Sequence, residues 1–142
     1  MKQYFLLVLV GTIVLCGTWL GYRHFIGAPL RISLGQHEYT LEVVRTDEER
    51  RLGLGNRDML CGHCAMLFLF DQPGQYAFWM KDMRFPIDIA WLSGNRIVWI
   101  ERNVSSESTM TYQPDVVADQ VLELNAGALG EIQVGEQVKF WK

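Results

Sequence analysis

The chain has 142 residues with 13 basic against 16 acidic side chains and a formal net charge of −3, a size that suits one domain plus an appendage and leaves no room for two domains. Beyond the N-terminal region no basic run could follow a phosphate backbone, so nucleic acid is not an expected partner.

The appendage comes first. Tyr4 to Tyr22, YFLLVLVGTIVLCGTWLGY, carries no charged side chain and approaches the roughly 20 residues a helix needs to cross a bilayer's hydrocarbon. Tyr4, Trp19 and Tyr22 sit near its ends as interfacial aromatics do. A cleaved signal peptide competes with a retained anchor, but the cleavage window FIGAP places Pro29 directly after Ala28 and would obstruct a peptidase. Leu15 before Cys16 does not suit a lipidation site. Residues 1–28 are therefore expected to be a transmembrane signal anchor and its exit. Charge counting, Lys2 against Arg23, His24 and Arg31, favours a domain inside the cell. The short N-terminal flank and a pair of cysteines favour the outside. The expectation adopted is a single pass through the cytoplasmic membrane with the domain in the periplasm or exterior.

Residues 29–142 read as one β-rich domain. LRISLGQHEYTLEVV alternates at period two about Gly35 and predicts a hairpin. TDEERRLGLG offers Thr46 as N-cap and Glu49 three residues on, a capping box, with Gly53 and Gly55 to end a short helix. AMLFLF, YAFWM, IDIAWL, RIVWIE, VLELN and EQVKFW predict further strands, and Ser93-Gly94-Asn95 predicts a hairpin turn. Arg102 to Asp115 lacks periodicity and is expected to be a long loop. The fold expected is mainly β, a small antiparallel β-sandwich or barrel with one or two short helices, preceded by a transmembrane helix.

Two groups of residues could carry chemistry. Cys61 and Cys64 in CGHC have the spacing of a dithiol oxidoreductase, but they lead into a strand, whereas a reactive thiol sits at a helix N-terminus. His63 lies inside the pair and His24 and His37 are remote and isolated, so the two cysteines make a weak metal signal and no metal is expected. A disulfide or two buried thiols is the preferred reading. Lys81, Asp82, Arg84 and Asp88 gather around Pro86. Asp88 stands between Ile87 and Ile89 and points toward an apolar layer, where a carboxylate needs a partner, and Lys81, Arg84 or Arg57 could supply it. Trp79, Phe85 and Trp91 could form an aromatic platform for a sugar or another flat ligand. Asp82 and Asp88 could in form serve as an acid/base pair for hydrolysis.

FWMKDMRFPIDIAWL, with GLGNRDML and AMLFLF before it and VLELNAG after it, resembles domain-of-unknown-function family 192 from about Leu41 onward. The resemblance implies a β-rich sandwich, often behind a bacterial export signal, and no established activity. The family pattern is Trp-Met-Lys-Asn-Thr, two residues, then Leu-Asp. Trp79, Met80, Lys81 and Asp88 match it, whereas Asp82 and Met83 stand for Asn and Thr, and Ile87 for Leu. The CGHC insertion is outside the pattern. Glu123 enters through the family motif alone, since by periodicity it lies on a strand's wet face between Leu122 and Leu124.

The expected function is binding of a small ligand or envelope partner, with Trp79, Lys81, Asp82, Asp88, Arg57 and Glu123 as candidate residues and no cofactor. The alternative is an enzyme, either a hydrolase using Asp82 and Asp88 or a thiol oxidoreductase using Cys61 and Cys64.

Overall fold

The computed structural model describes residues 30–142. The anchor expected over residues 4–22 lies outside the described residues, among which no helix is long and apolar enough to cross a membrane. The described chain runs β1 (Arg31–Leu34), β2 (His37–Val44), α1 (Asp47–Leu52), β3 (Cys64–Gly74), β4 (Phe78–Trp79), β5 (Ile87–Ser93), β6 (Arg96–Val104), β7 (Thr111–Tyr112), β8 (Ala118–Asn125) and β9 (Lys139–Trp141).

Seven strands form one sheet in the order β6-β5-β8-β3-β2-β1-β9, and β4 pairs with β7 in a separate two-stranded ribbon. All pairs in the large sheet are antiparallel except β2 with β3, which run parallel. That departs from the wholly antiparallel expectation, and the cause is α1. Parallel neighbours need a crossover, and here the helix and the segment after it supply one.

The sheet curls until its edges meet. Residues 135–138, just before β9, bond to β6 at the opposite edge. The Ile97 N–H donates to the Glu136 carbonyl at 2.9 Å, Gly135 N–H to Ile97 O at 2.8 Å, and Val138 N–H to Asn95 O at 2.8 Å. Arg96 and Gln137 form an isolated bridge there. A strap at residues 135–141 thus joins the start of β6 to β1. The fold is a curled, barrel-like sheet; the second sheet of a sandwich is not formed.

Alternation along the strands sends residues to two cores. Ala65 and Leu67 of β3, Ala90 and Leu92 of β5, and Leu122 and Leu124 of β8 face the inside of the curl with Ile32, Leu34, Ile97 and Val138. Met66, Phe68, Ile87, Ile89, Trp91 and Val121 face outward, and Leu54, Phe78 and Met80 cover them. The sheet is therefore buried on both faces, which explains the near-continuous apolar runs in β3 and β5.

Several local expectations hold. The hairpins turn at Gly35 and Gly94, and both bonds of the Thr46/Glu49 capping box are present. Others are shortened. YAFWM yields only Phe78–Trp79 as strand and EQVKFW only Lys139–Trp141. The irregular stretch begins after Val104 and is interrupted by β7. Its turn is held by serine side chains, Ser105 Oγ accepting from Glu107 N–H and Ser108 Oγ from Met110 N–H, each at 3.2 Å.

Candidate functional site

None of the residues of α1 is buried, so packing cannot be what holds it. Arg50 does so instead. Its Nη1 donates to the Leu69 carbonyl at 2.7 Å and also to Arg45 O. Its Nη2 pairs with Asp47 at 2.7 Å, and the guanidinium lies 5.2 Å from the centre of the Phe70 ring. Gly53 then ends the helix with φ 51° and ψ −133°, backbone angles that an L side chain rarely adopts. Leu54 turns down into the outer core, fully buried.

A second wall comes from the β4 ribbon. Phe78 packs edge-to-face on Phe68 at 4.9 Å and on Trp91 at 5.7 Å. The strand period then sends Trp79 outward, 52% exposed, with Lys81 on the same side. The Lys81 ammonium lies 5.7 Å from the Trp79 ring centre. Asp82 takes left-handed backbone angles, φ 60°, and its carbonyl accepts the Asn56 N–H at 2.8 Å, tying this loop to the turn after α1.

Between these walls lies a cleft in two connected parts. The inner part, about 110 Å³, is lined by Leu52, Gly53, Phe68, Phe78, Trp79, Lys81 and Glu123, with Arg50 and Arg51 at its edge. The outer part, about 410 Å³, shares Arg51, Leu52, Trp79 and Lys81 with it and adds Glu48, Asn56 and Asp82. Glu123 is the floor. It sits on β8 between Met66 and Ile89, and it is only 5% exposed. Its Oε2 has no hydrogen-bond partner. The wet-face expectation for Glu123 is thus corrected: the helix, the Gly53 turn and the β4 ribbon cover the outer face of the sheet at this point. Desolvation pushes its carboxyl from the ordinary 4.5 up to about 8, against a weaker opposing pull from the Arg57 guanidinium. At neutral pH the floor is a protonated acid. A Cβ added at Gly53 would lie 3.8 Å from Glu123 Oε2 and 3.4 Å from the Phe68 ring, so glycine there leaves the space above the carboxyl open.

The other expected residues fall in different places. Arg57 makes a two-point ion pair with Glu42, Nη2 to Oε1 at 2.5 Å and Nη1 to Oε2 at 2.7 Å. It lines a small hollow of about 90 Å³ beside Gly53 and Met66. Its bond to Glu42 holds that carboxyl below the usual range. Arg84 pairs with Asp58 at 2.5 Å.

Asp88 lies elsewhere. It is fully buried on the inner face of the sheet, and no basic side chain answers it, contrary to the expected ion pair with Lys81, Arg84 or Arg57. Its Oδ1 accepts the Asn103 N–H at 2.7 Å and its Oδ2 the Leu129 N–H at 2.8 Å. Backbone amides do what a cation was expected to do, and the group anchors the loop after β8 to the end of β6. Arg102 clamps the same loop through the Leu129 and Ile132 carbonyls at 3.0 and 2.5 Å. Asp82 and Asp88 thus stand on opposite faces of the sheet and cannot flank one scissile bond. The aromatic platform is also not assembled, because Trp91 is completely buried, with its Nε1 donating to Tyr76 O at 2.8 Å.

Cys61 and Cys64 form a disulfide across the turn before β3. The Asn125 side chain, at the end of β8, donates to the Leu60 and Cys61 carbonyls at 3.1 and 3.0 Å. Among the described residues no three of His, Cys, Asp and Glu are grouped as metal ligands.

Of the expected set, Trp79, Lys81 and Glu123 meet in one cavity and Asp82 joins at its outer part. Arg51 and Gly53 were not legible as site residues. Gly53 reads as a helix stop, and an arginine in a last helical turn reads as support for the helix dipole.

The fold recurs in solved structures. A crystal structure from Sinorhizobium meliloti 1021, provisionally labelled a transcription regulator, is similar at a TM-score of 0.72 and 25% identity over 78% of this chain and 91% of that one. A protein of unknown function from Novosphingobium aromaticivorans DSM 12444 is similar at 0.72 and 27%, over 80% and 84%. No curated protein matches the chain. The model of DUF192, described as an uncharacterized ACR, matches residues 30–140, a span that includes every strand but the last residue of β9 and the whole cleft, and the chain accordingly belongs to that family.

Proposed function

We propose that this is a ligand-binding domain, tethered to the cytoplasmic membrane by residues 4–22 and facing the periplasm or exterior, and that the cleft between the α1 turn and β4 receives a small molecule. The observation that carries the reading is Glu123 Oε2, an unpartnered carboxyl oxygen in a hollow that opens to solvent past Trp79. An unpaired buried polar atom costs on the order of 1 to 3 kcal/mol. A fold that needed only stability would place an apolar residue at this point of β8, as at Val121. The same atom supplied with a ligand's polar group would have the partner it lacks. Basic and aromatic groups at the mouth, Arg51, Lys81 and Trp79, add the features of a recognition rim.

The test is a thermal-shift screen of the full-length chain in detergent against amino acids, sugars and small carboxylic acids, since a ligand that binds the native state raises the Tm. The expected hits raise the Tm of the parent and lose that effect in Trp79→Ala and Glu123→Gln. Hits that shift all three proteins equally would place binding outside the cleft and refute the reading.

A further inference from the structure

The cleft orders its charges by depth. Glu123 is at the bottom, between Met66 and Ile89 of the flanking strands, and it borders the inner hollow only. Arg51 and Lys81 border both parts, so they stand where the two join. Among the described residues neither has an ion-pair partner, whereas Arg50 is occupied by Asp47 and by backbone carbonyls.

We propose that the cleft takes a small zwitterion of the amino-acid class, with its ammonium group on Glu123, its carboxylate between Arg51 and Lys81, and its side chain against Trp79. This rests on the cleft being the binding site and adds the class of ligand. An ammonium group offers three donors to a carboxyl that has none, and aromatic walls favour a cation. The protein already places its own cations on two of these rings, Arg50 on Phe70 and Lys81 on Trp79. A plain amine would have to pass two like charges at the mouth and would leave them unused. A plain carboxylate would leave Glu123 without a partner, and a polyol would bring no opposite charge to either base. Only a ligand carrying both charges in this order answers Glu123, Arg51 and Lys81 together. Size agrees: a water-sized group needs roughly 10 to 15 Å³ of such space, so the inner hollow admits an ammonium and a few carbons, and the rest lies in the outer part.

Pairing requires the ionised carboxylate. Glu123 enters as the neutral acid, with its carboxyl held up to about 8, so at pH 7 the incoming ammonium group displaces the proton from Oε2 to the buffer. The ligand keeps all its protons and the protein gains one negative charge. Arg57, paired with Glu42, assists this ionisation.

Titration calorimetry of the full-length chain in detergent at pH 7, in phosphate and again in Tris, tests the proposal. The probes are the common L-amino acids and D-glucose. The tightest amino acid is then compared with its des-amino acid and its decarboxylated amine. The expected result is amino-acid binding with release of close to one proton, read from the difference between buffers, and analogues weaker by about tenfold or more. Glu123→Gln is expected to abolish the proton release and weaken binding by about tenfold, and Arg51→Ala to weaken the amino acid while leaving the amine as tight or tighter. Glucose or the des-amino acid binding as tightly as the amino acid, in a manner sensitive to Trp79→Ala, would overturn the zwitterion while leaving the cleft as a binding site. Amino-acid binding that is indifferent to Trp79→Ala and Glu123→Gln would overturn both. Absence of binding by every amino acid would overturn the ligand class whatever the wider screen returns.

Discussion

Replacing Glu123 by Gln keeps the shape of the side chain and removes its titration, and the structure fixes how the two proteins should diverge with pH. In the unfolded chain the carboxyl ionises near the ordinary value of 4.5, and in the folded protein near 8. Between these values the native state holds a proton that the unfolded state has lost, so the stability of the parent falls as pH rises. Below 4.5 both states are protonated and the effect vanishes. Each pH unit within the window is worth about 1.4 kcal/mol, so the loss accumulates to on the order of 3 kcal/mol by pH 7 and levels off above pH 8. Glu123→Gln has no such slope from this site, and other titrating groups contribute alike to both proteins. Urea unfolding at pH 4, 5, 6, 7 and 8 should therefore show similar midpoints at pH 4 and a variant more stable by several kcal/mol at pH 8. Parallel curves across this range would mean that Glu123 is ionised in the folded protein, solvated or paired, and the account of the cleft floor would fail.

Asp88→Asn should be destabilising by about 2 kcal/mol, because the new amide group presents a donor to one of the two backbone N–H groups that the carboxylate now accepts; denaturant midpoints measure this, and faster hydrogen exchange at Leu129 or Asn103 would locate it. The same measurement on Asp82→Asn should show no loss or a gain of a few tenths of a kcal/mol, since φ at this position is 60° and asparagine tolerates left-handed angles well; a large loss would show that the carboxylate has an unrecognised partner. Changing Cys61 and Cys64 together to Ser should lower the stability modestly, by roughly 2 kcal/mol or less, because the entropic effect of a disulfide grows with the loop it closes; a complete failure to fold would contradict that. A phosphatase fused after Lys142 should be active outside the cytoplasm, and activity confined to a cytoplasmic reporter would reverse the proposed orientation.

What could be read in the sequence was local. The Thr46/Glu49 box and the turns at Gly35 and Gly94 depend on residues a few positions apart, and all three stand as expected. What could not be read depends on distant partners. Nothing near Val44 announces that β2 will lie parallel to Cys64–Phe68, and nothing in Gly135–Val138 announces a bond to β6. The site divides the same way. Trp79 and Lys81 share a side of one short segment and were found together. Glu123 and Asp88 each looked like one polar residue in an apolar strand, and only the fold shows that the former faces a hollow and the latter two amides. Sheet periodicity assigned Glu123 to solvent because it could not see what covers the outer face.

The strap that closes the curl also decides how the domain would yield to a pull. Arg31 stands opposite Trp141 and Ser33 opposite Lys139, so the two ends of the domain leave from the same end of one short ladder. Tension between Arg31 and Trp141 therefore loads the β1–β9 bonds one after another, as in opening a zipper, and the bonds of residues 135–138 to β6 come next in line. Where the domain first yields to such a pull is thus set by where β9 inserts and not by the size of either core.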